Sequence, residues 1–325
     1  MKKHSSSKAF AAFYLSWMLL SASLHAELLV KDGQKVAFMG DSITDQGWNV
    51  PGGYVRLVVA GLQTLGVTIV PIPAGVGGNT SADMVSRFDR DVLSKKPDWL
   101  TLSCGVNDVW HGPGGVALEP YEKNITSIVD QAQAAGIKVM ILTATVIGEE
   151  VDNDNNKKLV AYNEFLHQLA QDRNLPIAEE NEAFQAALKA APPSPGTKLL
   201  TIDGVHPNPD GHQIMATALL QAFGATVAQI ETIKQEWLDM PASAAVPSIL
   251  TFRASDSLTI RQYNALKAAA AAKNTSVPDF GNGLFFQALE SAVTAHQNDT
   301  PPATMGQVEG EAQKEFAKKI AALSN

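Results

Sequence analysis

The stretch "KVAFMGDSITDQGW", residues 35–48, runs apolar to Met39 and turns polar from Gly40. An apolar run of this length reads as a strand buried on both faces. The Gly-Asp-Ser-Ile-Thr that follows is built from residues that turns prefer. A strand end is also where α/β folds carry their chemistry. Ser42 therefore has two readings, turn residue or nucleophile, and this stretch alone does not separate them.

Working outward, the pattern repeats. "VTIVPIP" (67–73), "DWLTLSCG" (98–105) and "KVMILTATVI" (138–147) are further apolar runs, with "LPIAEE" (175–180) a weaker fifth. Helix-period segments lie between them: "YVRLVVAGLQTLG" (54–66), "SADMVSRFDRDVLSK" (81–95), "YEKNITSIVDQAQAAG" (121–136) and "KLVAYNEFLHQLAQDRN" (158–174). Gly66 and Gly136 stand where helix C-terminal glycines belong. Continuous apolar strands alternating with amphipathic helices predict α/β layers around a mainly parallel five-stranded sheet. In such sheets the functional crevice lies beyond the carboxyl ends of the strands. Those ends carry "GDSIT", "AGVGGNTS", "GVNDVWHG" and "ATVIGEE", of which the first three are rich in Gly, Asn, Asp and Ser.

Farther on, "NEAFQAALKA" (181–190) predicts a short helix and "APPSPGTKLL" (191–200) a proline-rich surface loop. "TIDGVHPNPDGHQIMATALLQAF" (201–223) begins as loop, then starts a helix expected to run toward residue 238. From 239 the character shifts: "MPASAAVPS" reads as a linker, and three helix-like segments without strand signal fill the rest. The expected division is 1–26, 27–238 and 239–325, the last a helical extension of no assigned role.

Composition narrows the function classes. The 325 residues carry 45% hydrophobic and 18% charged side chains, as globular chains do, with a formal net charge of −8. No basic stripe with interleaved aromatics is present, which argues against nucleic acid as a partner. The first 26 residues combine Lys2, Lys3 and Lys8, the apolar "AFAAFYLSWMLL" and the small-residue "SASLHA". That is the layout of a secretory signal peptide, too short for a membrane span, with cleavage expected after Ala26 and a secreted or periplasmic product without an integral span. The single cysteine, Cys104, allows no disulfide framework and reads as a small buried hydrophobe. "DNDNN" (152–156) could hold calcium but reads more simply as loop and helix start. No cofactor or metal is expected.

A serine needs a base to become a nucleophile, most often a histidine oriented by a carboxylate. Of seven histidines, His4 and His25 fall in the leader, and His167 and His296 sit on solvated helix faces. His212 begins a helix, where a structural or capping role is expected. His206 has Asp203 three residues before it, a spacing that lets the carboxylate accept the imidazole Nδ1–H. Taken alone, "DGVHPN" is equally a surface turn.

With these blocks in hand, the sequence resembles the GDSL/SGNH hydrolase superfamily. Gly40-Asp41-Ser42, a glycine in "AGVGGNTS" best matched by Gly78 with Gly77 as the neighbouring register, Gly105-Val106-Asn107-Asp108 and Asp203-Gly204-Val205-His206 follow in the family's order. The likeness covers residues 35–225 and stops before the helical extension. It implies a flavodoxin-like three-layer α/β/α sandwich and a serine hydrolase working through an acyl-enzyme. Ser42, Asp203 and His206 would be catalytic, with the Ser42 N–H, the Gly78 N–H and the Asn107 amide as oxyanion hole. The lipase elbow Gly-x-Ser-x-Gly is absent around Ser42, which sets the chain apart from α/β-hydrolases.

Family members cleave many esters, so the substrate rests on local clues. Trp48, Trp110 and His111 follow the first and third blocks and suit a sugar platform, although tryptophans near strand ends also serve packing. The expected substrate is a small-molecule or glycan ester, with acetyl removed from carbohydrate. The alternatives are a lysophospholipase, arylesterase or thioesterase, or a secreted carbohydrate-binding protein without catalysis. Oligomeric state is not legible.

Overall fold

A computed structural model describes residues 27–191, 198–241, 258–296 and 305–324. The expected signal segment and most of the linker lie outside these residues. Among the described residues, no helix is long and apolar enough to cross a membrane.

Five strands form one parallel sheet: β1 (Lys35–Gly40), β2 (Val70–Gly75), β3 (Trp99–Ser103), β4 (Lys138–Leu142) and β5 (Ile177–Ala178). Their order is β2-β1-β3-β4-β5. The first crossover therefore runs one way along the sheet and the later ones the other. Right-handed connections then put the helices on opposite faces, and the β1/β3 boundary becomes the switch point where crevices open. In β1 every residue but Lys35 is buried, and β3 is buried throughout, as an interior parallel strand requires.

On one face, α2 (Tyr54–Thr64) packs against α8 (Pro209–Ala222) and α9 (Val227–Trp237). Trp237 is fully buried there and donates its indole N–H to the Leu57 carbonyl at 3.1 Å. On the other face, α3 (Ser81–Asp91), α5 (Leu118–Ala134) and α6 (Asp154–Arg173) pack in series. Two short helices leave the strand ends directly, α1 (Ser42–Asn49) after β1 and α4 (Val106–Trp110) after β3, and α7 (Glu180–Ala190) follows β5. The extension consists of α10 (Ile260–Ala272), α11 (Val277–His296) and α12 (Met305–Leu323).

Four details differ from the sequence reading. Strand β2 starts at Val70 rather than 67 and carries Pro71 and Pro73, which it tolerates as the edge strand. Strand β4 ends at Leu142 rather than 147, because side chains replace the ladder beyond it. Asn163 accepts from the Ala144 N–H, and Asn156 accepts from the Ile147 N–H, each at 2.8 Å. The expected helix toward 238 breaks into α8 and α9 at Gly224, whose φ of +103° no helix accommodates. Finally, "GDSIT" is a helix start: Asp41 caps α1 by accepting the Ile43 N–H at 2.9 Å. Gly66 and Gly136 hold the expected left-handed positions at φ +81° and +76°.

Candidate active site

The ends of β1, β2 and β3 and the loop before α8 converge at the switch point. Ser42 is the first residue of α1, and its hydroxyl lies 2.9 Å from His206 Nε2. His206 Nδ1 lies 2.6 Å from Asp203 Oδ2. Burial pushes the Asp203 carboxyl up, but hydrogen bonds from the His206 ring and from the His206 and Val205 N–H groups outweigh it and hold it below the usual carboxylate value. An ionised Asp203 accepts from Nδ1–H, which leaves Nε2 free to accept from the Ser42 hydroxyl. Asp203 stays about half exposed at its side chain, and His206 is mostly covered.

Asn107 is buried on α4, and its amide donates to the Asn79 carbonyl at 3.0 Å and to Asp41 Oδ2 at 3.3 Å. Gly78 lies in the loop after β2 at φ +75°, and a Cβ there would meet nothing within 4 Å. Within the chain the glycine is thus favoured by its backbone angle rather than by crowding. Gly77 stands nearer the serine, since its Cβ would lie 3.9 Å from Ser42 Cβ. Among the described residues neither the Ser42 nor the Gly78 N–H donates a hydrogen bond within the chain. Both are open donors, and Ser42's sits at the positive end of α1.

The expected binding residues separate. Trp110 is 43% exposed, with its ring edge-on to His206 at 6.4 Å between centroids, and His111 stands beside it at 6.2 Å. Trp48 instead lies under the Arg56 guanidinium at 4.8 Å and packs on the core. His212 is buried, accepts the Tyr54 N–H at Nδ1, and is driven down to about 3 by burial, so it stays neutral and structural. His167 Nε2 lies 2.8 Å from Glu179, and His296 Nε2 2.9 Å from Glu311, so each joins neighbouring elements.

Sequence reasoning missed the roles of the buried carboxylates and the arginine beneath the site, although it read Cys104 as packing. Asp41 is buried and pushed up to about 6, first by burial and against the Ile43 hydrogen bond. Asp108 is buried, raised by that burial, and accepts from the Ser81 N–H and hydroxyl, tying α4 to the start of α3. Cys104 donates to Asp108 at 3.5 Å, and burial pushes its thiol well up, so it packs rather than reacts. Glu180 is wholly buried, and burial, with the charge of Asp41, pushes its carboxyl well up. Arg87, on the inward face of α3 with Met84 and Phe88, gave one signal in sequence: a charge at helix spacing among apolar positions.

Among the described residues one group has metal-ligand spacing, His167, Glu179 and Glu182, all partly exposed, with His167 Nε2 already 2.8 Å from Glu179 and 3.6 Å from Glu182. "DNDNN" is a helix start, with Asn153 capping α6. A cavity of about 910 Å³ between α7 and α8 includes none of Ser42, Asn107, Asp203 or His206 in its lining.

Known proteins place this arrangement. The model of the GDSL-like lipase/acylhydrolase family matches residues 38–214. The acetylxylan esterase of Geobacillus stearothermophilus is 31% identical over 216 residues, 60% of this chain and 96% of that protein. Its crystal structure superposes with a TM-score of 0.56 over 61% of this chain and 98% of that one. Structures of its catalytic mutants replace a serine, an aspartate and a histidine, the last two separated as Asp203 and His206 are. The esterase TesA of Pseudomonas aeruginosa is 30% identical over 128 residues, 38% of this chain and 62% of that protein. With a family match over more than half the chain and a parallel sheet of that architecture, the chain belongs to the GDSL-like lipase/acylhydrolase family and is a carboxylic ester hydrolase.

Proposed function

We propose that the protein is an exported serine esterase that removes acetyl groups from carbohydrate. The observation that carries this reading is the relay Ser42–His206–Asp203, closed at 2.9 and 2.6 Å. In the reaction, Ser42 Oγ attacks the acyl carbonyl while His206 Nε2 takes its proton, and Asp203 steadies the imidazolium. The oxyanion accepts from the Ser42 N–H, the Gly78 N–H and the Asn107 amide. Of the two bonds that amide makes, the longer one, to Asp41, is the one the oxyanion replaces. Nε2 then protonates the departing sugar oxygen, and water cleaves acetyl-Ser42 by the same path in reverse.

Two features favour a sugar acetate. The relative covered almost end to end is an acetylxylan esterase, and Trp110 offers an exposed aromatic face beside His206 on which a pyranose ring can lie. His111 extends that face; Trp48 belongs to it less, being covered by Arg56. The hydrolase unit spans 27–238, with 239–325 an extension whose α10 lends Ile260 and Tyr263 to the main core. The leader at 1–26 supports export to where polysaccharide is met.

The test compares acetylated xylooligosaccharides with p-nitrophenyl esters from acetyl to octanoyl. Release of acetate from the oligosaccharide and a rate falling with chain length are expected. A rate rising toward octanoyl, with no acetate released from sugar, overturns the substrate assignment in favour of a lipid or thioester hydrolase.

A further inference from the structure

Arg87 is 6% exposed, and burying a guanidinium costs heavily unless its donors are used. All three nitrogens are. Nη2 donates to the Gly40 carbonyl at 2.8 Å, Nη1 to the Ala74 carbonyl at 2.8 Å and to Asp91 at 3.0 Å, and Nε to the Asn79 side-chain oxygen at 2.5 Å. Gly40 and Ala74 lie at the carboxyl ends of β1 and β2. The first leads in two residues to Ser42, and the second in four to Gly78.

Asn79 is therefore pinned twice, by Arg87 through its side chain and by Asn107 through its carbonyl. Its own N–H closes a turn on the Val76 carbonyl at 3.3 Å, and the Val76 N–H donates to Gly40 at 3.1 Å. Gly77 and Gly78 are the free tip of that turn. The Gly40 carbonyl accepts from both Val76 and Arg87, so the nucleophile's strand and the glycine turn share one anchor.

We propose that Arg87, acting through Asn79, is a positioning residue that fixes the Gly78 N–H relative to the Ser42 N–H. This rests on the reaction proposed above. Arg87 touches no reacting atom; it ties two strand ends and one turn to a single planar group, as the fork of five guanidinium donors allows and a lysine does not. Small displacements of such donors are costly, about 10²-fold for about 1 Å.

Arg87 also holds two strand ends, so its removal endangers folding; Asn79 gives the cleaner test. Asn79→Ala cuts the link to the turn and leaves the grip on Gly40 and Ala74. Its kcat on p-nitrophenyl acetate is expected to fall about 10- to 100-fold, with KM within about threefold; the melting temperature drops because the buried Arg87 Nε–H loses its acceptor, but the enzyme stays folded at the assay temperature. Asn79→Asp keeps an oxygen for Arg87 and is expected to restore kcat to within about fivefold of wild type. An Asn79→Ala enzyme within twofold of wild type, or an Asn79→Asp enzyme as impaired as Asn79→Ala, overturns the inference. Ser42→Ala run alongside separates the two failures: a wild-type rate indifferent to Ser42 sinks the reaction itself, whereas Ser42-dependent turnover indifferent to Asn79 sinks the positioning role alone.

Discussion

In the α/β unit, strands and flanking helices bury one continuous apolar cluster, which reaches from Leu28 to Trp237. In the extension, α10, α11 and α12 share a small cluster of Leu258, Leu266, Phe285, Ala288, Phe316 and Ile320, with a second patch of Ala292, Val308 and Ala312. The two regions meet through α10, whose Ile260 and Tyr263 join the large cluster and whose Lys267 pairs with Asp210 at 2.7 Å. All the groups of the candidate site belong to the first region, where buried Asp41, Arg87, Asn107 and Asp108 fix the strand ends. The lesson is that chemistry here sits where backbone position is over-determined, while the extension is a satellite held mainly by α10, with Val277 of α11 also against the large cluster.

That contrast can be broken by mutation. His206→Ala removes the base and is expected to lower kcat by about 10⁴- to 10⁶-fold, read as p-nitrophenyl acetate turnover. Trp237→Ala empties a fully buried position in the large cluster and is expected to cost about 3–5 kcal/mol in global denaturant unfolding. Phe316→Ala should loosen the extension and leave that main transition in place. If the two substitutions lower one shared transition equally, the regions are a single cooperative unit. Asn107→Ala is expected to reduce kcat about 10²- to 10³-fold by removing one oxyanion donor.

Asp41 links the site to pH. Its folded value, about 6, lies above the ordinary 3.8, so the folded state holds the proton more tightly. Its contribution is therefore present below the unfolded value and is lost as pH rises through about 6, by about 3 kcal/mol. Asp41→Asn should flatten the fall in stability between pH 4 and 6 that wild type shows in melting experiments; an unchanged profile contradicts the assignment. The smallest effect is expected where the extension touches α8. Lys267→Ala and Tyr263→Phe both release Asp210, four residues after His206, yet should change kcat less than about twofold. A larger loss would mean the extension helps place His206.

The fold was largely legible because interior parallel strands leave an unbroken apolar signature and the helices between them are amphipathic. β1 and β3 stand where the apolar runs put them. The blurred edges have physical causes. Pro71 and Pro73 weaken the strand signal of β2, and "TATVI" after β4 is apolar enough to pass for strand although side-chain amides satisfy its backbone. The residues that meet, Ser42, His206 and Asp203, carry groups whose chemistry is visible in one-letter code. Arg87 and Asn79 are not visible in that way: their work is hydrogen bonding to carbonyls and a turn, which only the packed strand ends reveal.

The most direct measurement is p-nitrophenyl acetate hydrolysis by the purified protein beside its Ser42→Ala variant, with equal melting temperatures confirming that both are folded. A Ser42 nucleophile predicts that the variant loses activity by about 10⁴-fold or more. Equal rates in the two proteins would contradict it.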